Sequence, residues 1–256
     1  MARALAVACC ALILAACGGR DRSAEQLAPE KLYERASRLL NAGDYRGAVS
    51  YYEALESRYP FSEQARQGRL DIIYAYYKSR ESESAIDAAD QFIRENPTHP
   101  RVDYAWYIKG LVHFERAPNF LERWFNTDLT ERPPQDVRSS FQSFHTLVER
   151  HPDSEYAHDA RQRMIFLRNR LADYEVHVAD YYLRRAAYVA AIARARYCLE
   201  NYDGAPATRD ALDIMISAYA GMGMADLAER SREVYALNYP GARPERHGGR
   251  DWWPFW

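Results

Sequence analysis

The side chains able to act as nucleophiles or metal ligands are few and scattered in this 256-residue chain. The four cysteines are Cys9, Cys10, Cys17 and Cys198, and the seven histidines stand at positions 99, 113, 145, 151, 158, 177 and 247. No His-Glu-x-x-His or Cys-x-x-Cys motif occurs, and no glycine-rich phosphate loop follows a strand pattern. His151 and His158 flank Asp153, Glu155 and Asp159, a set that could hold a metal. The plainer reading is a solvated helix start, where the positive end of the helix dipole favours acidic side chains. Cys198 lacks a neighbouring His with an orienting partner and reads as a small buried hydrophobe. The chain is therefore expected to be no enzyme and to need neither metal nor cofactor. A hydrolase with a cryptic site would require a deep pocket where histidines and carboxylates converge. With a formal charge of −2, the chain also lacks the basic excess that nucleic-acid binding wants.

One cysteine is placed for a different chemistry. Arg3 is followed by an uncharged stretch from Ala4 to Gly19, apolar as far as Leu14. That length and flanking suit a secretory leader and fall short of a spanning helix. The run ends Leu14-Ala15-Ala16-Cys17-Gly18, which resembles the lipobox of bacterial lipoproteins. The resemblance implies cleavage after residue 16 and a covalent lipid on Cys17, an S-diacylglycerol with an N-acyl (palmitate) chain. An aspartate at position 18 would resemble an inner-membrane retention signal; Gly18 favours the outer membrane. Loss of the leader and lipidation of Cys17 leave Cys198 as the single thiol, so no internal disulfide can form.

Positions like these need a scaffold, and the remaining sequence supplies a repetitive one. Residues 17–28 read as the lipidated N-terminus and a flexible tether. From Pro29 the apolar periodicity is helical almost throughout. Pro60, Pro97, Pro152, Pro206 and Pro240 punctuate it at intervals of 37, 55, 54 and 34 residues. The first and last intervals match the period of tetratricopeptide repeats. In the first unit Tyr33, Ala36 and Leu40 share a helix face, Gly43-Asp44-Tyr45 makes the turn, and Ala48, Tyr52 and Leu55 line the second helix. Small Ala36 and Ala48 let the helices approach closely. Comparable sets recur through Leu70, Ile73, Ala85 and Ala89, through Tyr107, Gly110 and Phe144, and through Leu212, Ile216, Ala228 and Tyr235. The fourth unit reads as helices over 157–171, 174–184 and 188–202. The expected fold is all-α, a tetratricopeptide-repeat superhelix of about five helix pairs whose concave face binds chains or partner domains. Residues 29–152 hold repeats one to three, with an inserted loop at 116–135, and residues 153–240 hold repeats four and five. Residues 241–256 form a tail expected to be disordered alone. The tail's Trp252, Trp253, Phe255 and Trp256, beside Arg250, suit docking on a partner or on lipid headgroups, or form a ragged end without function.

Several runs make the resemblance specific. Arg58-Tyr59-Pro60-Phe61-Ser62, Ile73-Tyr74-Ala75-Tyr76-Tyr77-Lys78 and Phe92-Ile93-Arg94-Glu95-Asn96-Pro97-Thr98-His99-Pro100 come in this order. Phe166-Leu167-Arg168-Asn169-Arg170-Leu171-Ala172, Val178-Ala179-Asp180-Tyr181-Tyr182 and Tyr188-Val189-Ala190-Ala191-Ile192-Ala193-Arg194 follow. Together they resemble the BamD (ComL) family over residues 30–240. The resemblance implies a lipoprotein on the periplasmic face of the outer membrane, a scaffold of the β-barrel assembly (BAM) complex. Its implied partners are a BamA-like barrel subunit, other BAM lipoproteins, unfolded outer-membrane β-barrel proteins and, through the anchor, outer-membrane lipid. By the same resemblance, Tyr59 lines a site for the C-terminal targeting strand of barrel substrates, and Arg185 and Arg194 dock the BamA periplasmic domain. The family usually has Gly after the arginine matched by Arg185, where this chain has Ala186, so the turn that aims Arg185 departs from the pattern. The competing function for the same scaffold is an adaptor for other envelope or peptidoglycan enzymes.

Overall fold

A computed structural model describes residues 27–116 and 135–241 of the chain. The leader, Cys17, nearly all of the inserted segment and the aromatic tail lie outside the described residues. The described residues form ten α-helices. In chain order these are α1 (Pro29–Asn41), α2 (Tyr45–Arg58), α3 (Glu63–Ser79), α4 (Ser82–Glu95) and α5 (Val102–Arg116). After the insert come α6 (Gln135–Arg150), α7 (Ala157–Arg184), α8 (Tyr188–Asn201), α9 (Thr208–Gly221) and α10 (Ala225–Asn238). No helix among them is long and apolar enough to cross a membrane. Ten helices packed sequentially as pairs make the chain an all-α protein of the tetratricopeptide-repeat type.

Local signals set the helix ends. Pro29 opens α1, where a missing N–H costs nothing. The side chains of Asp44 and Ser62 accept from the backbone N–H of Gly47 and Ala65, both at 3.0 Å, and so cap α2 and α3. Gly43 reverses the chain between α1 and α2 at φ +82°, a conformation that costs a residue without Cβ little.

The chain divides between Phe92 and Ile93 into two compact units. In the first, α1, α2 and α3 pack on one another. Leu32, Ala36, Ala48, Tyr52, Leu55 and Ala75 form the core, with Ala88 of α4 laid against it. Its tyrosines carry polar ends that must be satisfied. The phenols of Tyr33 and Tyr52 donate to one carboxylate oxygen of Asp71, at 2.8 and 3.3 Å, and Gln67 donates to the other at 3.2 Å.

In the second unit each helix from α5 to α10 packs on the next, and α7 also touches α9. The close approach of α5 and α6 depends on Gly110. A Cβ there would stand 2.5 Å from the Phe144 ring, while the Ser140 hydroxyl donates to the Gly110 carbonyl at 2.9 Å. The two helices expected over 157–171 and 174–184 are one continuous helix of 28 residues. No Gly or Pro interrupts residues 172 and 173, and Ala172 is fully buried, so nothing in the chain or its packing breaks the helix there.

Replacing Gly110 with Ala forces the Phe144 ring out of its seat, and overpacking of this kind costs about 1–3 kcal/mol. A lower urea midpoint with an unchanged slope is the expected result. An unchanged midpoint would show that α5 and α6 are not in this contact.

Candidate binding surfaces

The second unit contains a charged residue in the middle of its apolar stripe. Leu167, Leu171, Glu175, Ala179 and Leu183 recur every four residues along α7, and all five are buried. Glu175 is 0% exposed. A carboxylate taken out of water must be paired and hydrogen-bonded. Two arginines do this from the flanking helices: Arg138 of α6 donates to one oxygen at 3.1 Å, and Arg194 of α8 donates to the other at 3.0 Å. Both arginine side chains remain about half exposed. The hydrogen bond to Glu175 raises the Arg194 pKa above its ordinary value, against the partial burial that lowers it.

Arg185 stands at the end of α7, its guanidinium 4.4 Å from the centre of the exposed Tyr181 ring, a cation–π contact. The turn that follows is closed by bonds from the Ala186 N–H to the Leu183 carbonyl and from the Ala187 N–H to the Tyr182 carbonyl. Ala186 takes φ +56°. The backbone thus keeps the left-handed conformation that a Gly would adopt freely, and an L-residue holds it at a cost of about 1–2 kcal/mol.

In the first unit Tyr59 ends α2. Its ring is 36% exposed and its hydroxyl donates to the Leu27 carbonyl at 3.3 Å. Tyr59 therefore both ties the start of the described chain to the repeat and presents an aromatic face. Phe61, two residues on, is almost completely exposed. A shallow hollow nearby is lined by Leu27, Lys31, Glu34, Arg35, Arg38 and Tyr51, mixing apolar surface with three cations.

Of the acids and histidines at the start of α7, Asp159 is engaged within the fold. Asp159 accepts from the Tyr107 hydroxyl at 2.8 Å and from Arg163 at 2.5 Å. Burial pushes the Asp159 pKa up, but these two bonds outweigh it and hold the carboxyl below its ordinary value. No cluster of His, Cys, Asp and Glu suited to a metal occurs among the described residues. Cys198 is fully buried on α8, and burial pushes its thiol up to about 12.

Arg138 and Glu175 are the functional candidates that sequence reasoning missed. The signal for Glu175 was a single acid in an apolar stripe of period four, and it vanishes if the helix is divided at residue 172.

Paired helices that leave aromatic and arginine side chains on their surfaces define a repeat scaffold for binding other proteins. Comparison with known proteins identifies which one. Residues 25–234 match the family described as YfiO, an outer membrane lipoprotein. Outer membrane protein assembly factor BamD of Vibrio cholerae is 38% identical over 226 residues, covering 88% of this chain and 94% of its own. The BamD of Neisseria meningitidis serogroup A is 39% identical over 255 residues, covering 96% of each chain. The chain belongs to the BamD family of outer membrane protein assembly factors. It is accordingly an outer-membrane lipoprotein of the β-barrel assembly complex, a scaffold and not a catalyst. Likeness to the crystal structure of the MamA protein is slight (TM-score 0.36, 15% identity, 84% of this chain and 97% of that one); the repeat assignment rests on the chain's own helix pairing.

Ala186→Gly should stabilise the chain by about 0.5–1 kcal/mol, since relief of the left-handed Ala exceeds the added freedom of the unfolded chain. The exposed Ala186 side chain gives up little packing. A raised denaturation midpoint is expected; a lowered one would mean the turn is not left-handed at 186.

Proposed function

We propose that this chain holds two kinds of protein partner at the outer membrane through different units, with Cys17 as the lipid anchor. Several acyl chains on one cysteine give stable attachment where a single chain binds marginally. The first unit, with Tyr59 at the end of α2, receives the C-terminal targeting strand of unfolded β-barrel proteins. An exposed aromatic pair, Tyr59 and Phe61, suits a signal that itself ends in an aromatic residue. Lys31, Arg35 and Arg38 outnumber Glu34 around the hollow, and this excess of cations suits the carboxylate at such a chain end.

The second unit docks the periplasmic domain of a BamA-like barrel subunit through Arg185 and Arg194. The observation that carries this reading is the state of Arg194: half exposed, yet fixed by a fully buried carboxylate. A side chain already ordered before binding loses less freedom on docking. Arg185, laid over Tyr181, is likewise ordered at the surface. Other lipoproteins of the complex are further partners by family membership.

The test is co-purification from detergent-solubilised outer membrane. Arg194→Glu places a second acid beside Glu175 and presents the wrong charge to the partner. Recovery of the barrel subunit should fall by about tenfold or more, since a like charge at such a contact costs several kcal/mol. Full recovery with a folded variant would remove Arg194 from the docking surface.

A further inference from the structure

Glu175 offers one negative charge to two positive ones. A single arginine would neutralise it, yet α6 and α8 each supply one, at 3.1 and 3.0 Å from its two oxygens. The cluster therefore carries a net positive charge. Its acid is fully buried, while the side chains of Arg138 and Arg194 are 51% and 45% exposed, so the excess charge lies on the solvent side. A guanidinium has five N–H donors in a rigid fork and no acceptor. One donor of each arginine is used on Glu175 in these contacts, and the exposed remainder of each fork can donate to further carboxylate oxygens.

We infer that Arg138 and Arg194 together form a two-pronged site for one acidic side chain of the docked protein, with Glu175 as the buried post that holds both prongs. This inference rests on the reading of Arg194 as a docking residue and adds Arg138 as its equal. The occupant is a carboxylate on a protein surface because of charge complementarity and surroundings. Tyr197 lies three residues after Arg194 on the same face of α8 and is exposed. Exposed tyrosine beside ordered arginines is the usual composition of the energetic centre of a protein interface. Glu175 is a positioning residue: it does not meet the partner, and its loss acts through the two arginines.

The experiment uses the full lipoprotein in its native complex, solubilised in detergent and washed at increasing NaCl. The variants are Arg138→Ala, Arg138→Lys and Arg194→Glu, and thermal melting is followed for each. Arg138→Ala should lower retention of the barrel subunit about tenfold and flatten its dependence on salt, because one prong of the charge contact is gone. Arg138→Lys keeps the charge and the pairing with Glu175 but not the planar fork. It should melt as the wild type does and still lose retention severalfold. If both Arg138 variants fold and retain the partner as the wild type does while Arg194→Glu releases it, the two-pronged site is wrong and docking by Arg194 alone stands. If Arg194→Glu also retains the partner, the docking reading itself falls. Should Arg138→Ala prove unfolded, the Lys variant decides: wild-type retention overturns the site and a severalfold loss supports it.

Discussion

Within each unit of this chain the helices are held chiefly by their neighbours in sequence. Within the first unit α1, α2 and α3 pack on one another, and within the second each helix packs on the next. The described thiol, Cys198, is free, so no disulfide involving it adds to the packing. Such an array is stabilised by the sum of its local interfaces. Close approach therefore matters at every joint, and it explains why Ala36, Ala48, Ala75, Ala85, Ala89, Ala105, Ala160, Ala172, Ala179, Ala191, Ala195 and Ala218 are all completely buried. Each brings two backbones near enough for larger side chains beside it to interlock. Gly110 takes this to its limit against Phe144.

Against that apolar background the polar exceptions fix positions. Asp71 gathers two tyrosine hydroxyls and an amide in the first unit. Glu175 gathers two arginines from the helices on either side of α7 in the second. Apolar contacts tolerate sliding; a buried acid with two specific donors tolerates little. Both clusters thus link the interior to side chains that reach the surface, and the Glu175 cluster does so at the place proposed for docking. For Arg138 and Arg194, order at that surface is obtained from the core, whereas contacts among exposed groups are individually weak in water.

Much of the fold was legible from the spacing of small and aromatic residues. The sets around Ala36 and Ala48, around Ala85 and Ala89, and around Ala228 and Tyr235 were read from sequence and are buried where a paired-helix fold requires. The continuity of α7 through residue 172 was not legible, although no Pro or Gly stands there to end a helix. That misreading hid Glu175. Arg194 and Arg185 came from family resemblance, and nothing in their local sequence distinguishes them from solvated arginines. Arg138 was hidden for a further reason: its role depends on a residue 37 positions away, which periodicity within one helix cannot reveal. The left-handed Ala186 was foreseen as a departure from a usual Gly, and the backbone keeps the Gly conformation regardless. Cys17 and the aromatic tail lie outside the described residues, so their roles rest on sequence.

The central claim is a division of labour: the first unit takes unfolded barrel substrates and the second docks the barrel subunit. Photocrosslinking amino acids placed singly at positions 59 and 194 of the full lipoprotein in growing cells test it most directly. Position 59 should capture newly exported barrel proteins transiently, in a pulse that decays as they fold, and position 194 should capture the barrel subunit persistently. Capture of the same single partner from both positions, or of peptidoglycan enzymes from either with no barrel protein, would contradict it.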